Sequence, residues 1–152
     1  MSGPGASFRV RALTADDGMA MAMWSPPGPW ALPDAVGDPP PDEGYWAVVD
    51  QSDALVGYCC LGDAARPAGL PGEPGRLDVA IGLRPDLTGR GLSDELGRVA
   101  IDYGRGVSGG RGLRCAVAED NALGLRAAGG VGFVAVGRHE IGGRWYAVLH
   151  LG

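Results

Sequence analysis

Arg76-Leu77-Asp78-Val79-Ala80-Ile81-Gly82-Leu83-Arg84-Pro85-Asp86-Leu87-Thr88-Gly89-Arg90-Gly91-Leu92-Ser93-Asp94-Glu95-Leu96 is the stretch that decides the fold. Leu77, Val79, Ile81 and Leu83 share one side and Asp78, Ala80 and Gly82 the other, which is the period of a strand. Arg84-Pro85 ends it, and a glycine-rich turn leads into Leu92, Leu96, Val99, Ala100 and Tyr103, spaced as one helix face that closes at Gly104 and Gly106. A helix start gathers unpaired N–H groups and about half a positive charge, so it favours an anion such as a phosphate. Gly89 and Gly91 let the backbone approach it, Arg90 adds charge at the rim, and Ser93 offers a hydroxyl. A bare strand-to-helix corner with the same glycines is the alternative. A dinucleotide fingerprint needs a third glycine where Asp94 stands, and a P-loop needs a lysine. The chain has none, because all 13 basic residues are arginine.

Outward from this stretch the pattern is strand, short helix, long loop, three strands, helix, strand, helix, strand hairpin. Phe8–Leu13 alternates as a strand, and Thr14 with Asp17 forms a capping box ahead of a short helix whose apolar side is Met19, Met23 and Trp24. Residues 25–42 hold seven prolines, which no helix survives, and read as a lip carrying Trp30. Tyr45–Val49 and Leu55–Leu61 are strands around a turn at 50–53. Leu113–Ala118 is a strand, Asn121 opens a short helix, and Phe133–Val136 and Trp145–Leu151 form a hairpin around Ile141-Gly142-Gly143. The expectation is one α/β domain over 1–152, a single mixed and mostly antiparallel sheet flanked by helices.

Composition narrows the function. The chain of 152 residues is 45% hydrophobic and 20% charged, as a globular domain is. The net charge of −5 disfavours nucleic acid, and no apolar run is long enough to span a membrane. Cys59, Cys60 and Cys115 are too few for a disulfide framework, which points to the cytoplasm. Cys59 and Cys60 face opposite sides of their strand and lack a His/Asn partner set, so a cysteine nucleophile is not expected. His139 and His150 have no metal-ligand spacing and read as structural, so no metal site is expected.

Two segments together resemble the GNAT-type N-acetyltransferases. Leu77–Leu96 is similar to that family's acetyl-CoA-binding strand, turn and helix, with Gly91 at the main glycine position. Asn121-x-x-Gly124-Leu125 followed by Gly132-Phe133 matches its second motif. The resemblance implies a GNAT-like fold and acetyl-CoA as co-substrate. It implies that Ile81, Gly82 and Leu83 pair with the pantetheine arm as an added strand would. Gly89, Arg90, Gly91, Leu92, Ser93 and Asp94 would surround the pyrophosphate, and Asn121 would face the cofactor or simply cap its helix. Trp24, Trp30, Tyr45 and Trp46 would wall the acceptor site. The partner is then a small-molecule amine or α-amino acceptor, and the assembly is left open to a homodimer.

The chain also departs from the family. Ala128 stands where many members carry a tyrosine that reprotonates the leaving thiolate. For the general base the candidates are Asp78, one residue from the expected strand position, and Glu119, two residues before Asn121; each also reads as a solvated or capping carboxylate. A lysine-type amine (pKa about 10.4) costs about 4.6 kcal/mol to present neutral at pH 7, against about 1.4 kcal/mol for an α-amine near 8. A site poor in bases therefore suits low-pKa amines. A CoA-binding module without catalysis is the other reading.

Overall fold

The computed structural model describes residues 8–24, 43–87 and 91–152. They form a seven-stranded sheet: β1 (Arg9–Ala12), β2 (Tyr45–Val49), β3 (Leu55–Leu61), β4 (Arg76–Leu83), β5 (Gly112–Ala118), β6 (Val134–Ile141) and β7 (Arg144–Leu151). The spatial order is β1-β2-β3-β4-β5-β7-β6, antiparallel throughout except where β4 meets β5. Three helices accompany it: α1 (Ala15–Ala22), α2 (Ser93–Val107) and α3 (Ala122–Gly130). The expected fold class is thus the observed one.

Alternation along each strand sorts side chains onto two faces. Leu77, Val79, Cys59, Leu113, Cys115, Ala147 and Leu149 pack under Leu96, Ala100 and Ile101 of α2, making the main core. Leu96 and Leu113 are fully buried, and truncating either to alanine costs about 2–5 kcal/mol. Cys60, Tyr45 and Tyr58 face the other way and pack with Met21 in a smaller cluster. The two adjacent cysteines therefore do point to opposite faces.

Thr14 caps α1 in the expected capping box, its hydroxyl accepting from the Asp17 N–H while the Asp17 carboxylate accepts from the Thr14 N–H. The apolar side of α1 differs from the expectation, however. Met21, four residues on from buried Asp17, lies against the sheet, whereas Met19 and Met23 are 67% and 80% exposed. Residues four apart share a helix face, so Met19 and Met23 lie together on the far side. The end of α2 also moves. Gly104 sits inside the helix, where the Leu61 and Leu113 side chains leave room only for a small residue. The chain instead turns at Gly109 and Gly110, both at positive φ. In the final hairpin β6 runs on to Ile141, with Gly142 and Gly143 at φ 58° and 86°, as a two-residue hairpin turn demands.

Candidate active site

β4 and β5 are parallel through three rungs, Arg76↔Gly112, Leu77↔Leu113 and Asp78↔Arg114, and then separate. On their outer sides β4 stays paired with β3 as far as Leu83, and β5 with β7 as far as Ala118. The inner edges, 79–83 and 115–118, have no strand partner on that side among the described residues. A cleft of about 690 Å³ occupies the gap. Its lining comes from both faces of the sheet. Val79, Ile81, Gly97, Ala100, Val117 and Ala128 contribute from the α2–α3 side; Tyr45, Tyr58, Cys60, Arg66, Ala80 and Tyr146 contribute from the other.

The turn expected to hold an anion lies partly within the described residues. Gly91 has φ +74° with open space where a Cβ would stand, and Leu92 at the start of α2 supplies no side-chain cap. Among the described residues no side chain thus caps the first N–H groups of this 15-residue helix, whose Gly97, Ala100 and Ile101 line the cleft. Leu92 packs on the main core and Ser93 is the first helical residue. The Asp94 carboxylate lies against Gly130 of α3. Gly89 and Arg90 lie outside the described residues.

Neither carboxylate expected as a base lines the cleft. Asp78 is 3% exposed and bound on both oxygens: Arg114 Nε donates to Oδ1 (2.7 Å), while Arg114 Nη2 (3.2 Å) and Arg66 Nη1 (2.9 Å) donate to Oδ2. Both guanidiniums come from the face to which strand alternation assigns Asp78. Glu119 is exposed and accepts from Arg138 at 2.7 and 2.8 Å, which holds its carboxyl below the ordinary value. No Asp, Glu or His side chain lines the cleft among the described residues, nor do three of the metal-ligating types cluster anywhere among them.

Gly82 is small for a reason unrelated to a ligand. A Cβ there would stand 2.0 Å from the Tyr58 ring, which fills the space above it. Ile81 lines the cleft; Gly82 and Leu83 continue the open edge of β4. Asn121 lines the cleft and also caps α3, its Oδ1 accepting from the Gly124 N–H at 2.9 Å. Trp24 packs near Tyr58 with ring centroids 6.3 Å apart. Trp46 packs on Tyr103 at 5.4 Å, on the α2 face and away from the cleft. Trp30 and the 25–42 lip lie outside the described residues.

Comparison with known proteins settles the family. The model of the acetyltransferase (GNAT) family matches residues 10–133. The chain belongs to that family. Solved structures agree in fold. An aminoglycoside acetyltransferase in complex with coenzyme A superposes at a TM-score of 0.75, with 16% identity, over 95% of this chain and 94% of that one. A spermidine/spermine N-acetyltransferase of Vibrio cholerae, in complex with manganese ions, gives 0.69 and 16% over 98% and 94%. A protein of Bordetella pertussis assigned to the GNAT acetyltransferases gives 0.57 and 21% over 71% of this chain and 65% of that one. No curated protein matches the chain by sequence.

Within this GNAT domain the sequence reading missed Tyr58, Tyr146, Arg66 and Arg144, all of which line the cleft. Tyr58 sits in β3, which is apolar and buried along nearly all its length, and Tyr146 in the partly buried β7, so the available signal was their face: Tyr58 shares that of Ala80, and Tyr146 that of Ala118. Burial pushes the phenols of Tyr45 and Tyr58 up, so both stay protonated hydrogen-bond donors at neutral pH. Burial likewise pushes the Cys60 thiol up to about 12, which keeps it from acting as a thiolate nucleophile.

Proposed function

We propose that the protein transfers the acetyl group of acetyl-CoA to the amine of a small molecule, with an α-amino group favoured over a lysine-type one. The observation that carries this reading is the gap between β4 and β5, which reaches both faces of the sheet. The cleft suits the donor on three counts. The open edge of β4 at 79–83 can pair with an amide-bearing arm as a further strand would. The start of α2, whose N-cap Leu92 makes no side-chain hydrogen bond, with Gly91 at positive φ, can hold a pyrophosphate. Gly97 and Ala128 keep the α2–α3 side clear.

When bound, the thioester supplies an activated acyl carbon. This chain's part is to align the amine with it, to polarise its carbonyl with a backbone N–H of β4, and to exclude water. Among the described residues no carboxylate or imidazole in the cleft can take the amine's proton, so the acceptor must arrive largely neutral. That favours an amine of pKa near 8 over one near 10.4, by about 3 kcal/mol at pH 7.

The same lack of a base, together with Ala128 in the cleft, supports the second reading, a CoA-binding module that does not catalyse. Calorimetry with CoA combined with a thiol-release assay over an amine panel separates the two. Binding with turnover of α-amines supports the enzyme, binding without turnover supports the module, and no CoA binding overturns both.

A further inference from the structure

Arg144 is the first residue of β7, and it shares a face with Tyr146, two residues on, which pairs with Ala118 at the end of β5. Its guanidinium stands 5.6 Å from the centre of the Tyr146 ring, and both side chains line the cleft. Arg66 is the other charged residue of that lining among those described. The two arginines differ in commitment. Arg66 donates to buried Asp78 at 2.9 Å and to Asp63, and its side chain is only 21% exposed. Arg144 donates to Asp120 at 3.0 Å, in a pair whose side chains are 56% and 71% exposed. An exposed pair of this kind contributes little to stability and is readily exchanged. A carboxylate entering the cleft would meet Arg144 in the planar, two-pronged geometry that guanidinium and carboxylate share.

We propose that Arg144 is a specificity residue that binds an acceptor's carboxylate, so that the acceptor is an α-amino acid or another small amine bearing a carboxylate next to its amino group. The proposal rests on the acyl-transfer reading and narrows its substrate class; the adjacent carboxylate makes the amine more basic, which gives up part of the low-pKa advantage in exchange for the ion pair with Arg144. A polycation, such as a polyamine, needs carboxylates around it; the described part of the cleft offers guanidiniums instead. Asp120 acts as a positioning residue: it holds Arg144 at the cleft mouth until the acceptor's carboxylate replaces it.

The test compares L-α-amino acids with their carboxamides (phenylalanine, leucine, glutamate and arginine pairs), with spermidine as the cationic control. Affinity for the CoA-saturated protein is measured by calorimetry and kcat/KM by thiol release. The wild type is expected to favour at least one acid over its carboxamide by roughly ten- to a hundredfold, the value of a charge-assisted pair, although the carboxamide's amine is the less basic. Arg144→Gln should collapse that ratio to near one through KM, Arg144→Lys should restore part of it, and Asp120→Asn should lower KM for the acid. Because the pair is exposed, these variants are expected to keep the fold. Equal affinity for acids and carboxamides in the wild type, tighter spermidine binding, or an acid preference that survives Arg144→Gln would overturn the proposal. Acid-selective binding without turnover would leave Arg144's role standing and count against acetyl transfer alone.

Discussion

Asp78 and Arg114 face each other across the last parallel rung, joined by hydrogen bonds of 2.7 and 3.2 Å at the point where β4 and β5 diverge. Both side chains are nearly inaccessible, at 3% and 5% exposure. Arg114 also donates to the Pro71 carbonyl, and Glu73 lies beside both Arg114 and His150, so the β3–β4 loop is fastened to the same point. The pair pins the root of the cleft and leaves its mouth open.

Asp78→Ala should therefore act on stability before chemistry. It strands a buried guanidinium, at a cost of about 3–5 kcal/mol, read as a lower urea midpoint. Any activity loss in the folded fraction should be the same at pH 7 and pH 9. Recovery at pH 9 alone would instead mark Asp78 as a base relieved by free amine.

Gly91→Glu should separate binding from folding. The positive φ costs a side-chain residue about 1–2 kcal/mol, and its Cβ meets open space, so the fold should survive. On the proposed reading CoA affinity, measured by calorimetry, should drop at least tenfold, because a carboxylate would stand where the pyrophosphate belongs.

Gly82→Ala should be destabilising through one contact. The new Cβ would meet the buried Tyr58 ring, and overpacking of this kind costs about 1–3 kcal/mol. Paired with Tyr58→Ala it should show strong non-additivity in a double-mutant cycle, because the second change removes the clash.

Asp17 should shape the acid limb of stability. Burial pushes its carboxyl up, but hydrogen bonds from Arg11 and Thr14 outweigh this, and the net shift is downward. A carboxyl lowered in the folded state contributes stability above its unfolded value, near 3.9, and loses it as pH falls through the lower folded value. Asp17→Ala should cost about 1–3 kcal/mol at pH 7, and the difference from wild type should shrink in melts below pH 4.

Periodicity and punctuation made most of the fold legible. The strand-to-helix stretch at 76–96, the Thr14–Asp17 box and the Asn121 cap are local patterns, and local patterns survive folding. The site was less legible, because its contacts join distant segments. The faces of β4 could be read, but that Asp78 meets Arg114, 36 residues on, and Arg66 could not. Strand alternation put Trp46 on one face or the other, and register alone sent it to Tyr103. Arg144 and Tyr146 reach the cleft only because β7 is inserted between β5 and β6, against chain order.

The break between β4 and β5 has a consequence for traffic. A sheet is normally a partition, with its two sides sealed from each other by the ladder. Here the partition has a doorway, and the donor proposed for the α2 side and the acceptor proposed for the Arg144 side approach it from opposite rooms. On the proposed reading, neither reactant would have to wait for the other to enter, and neither product would have to leave through the space that the other still occupies.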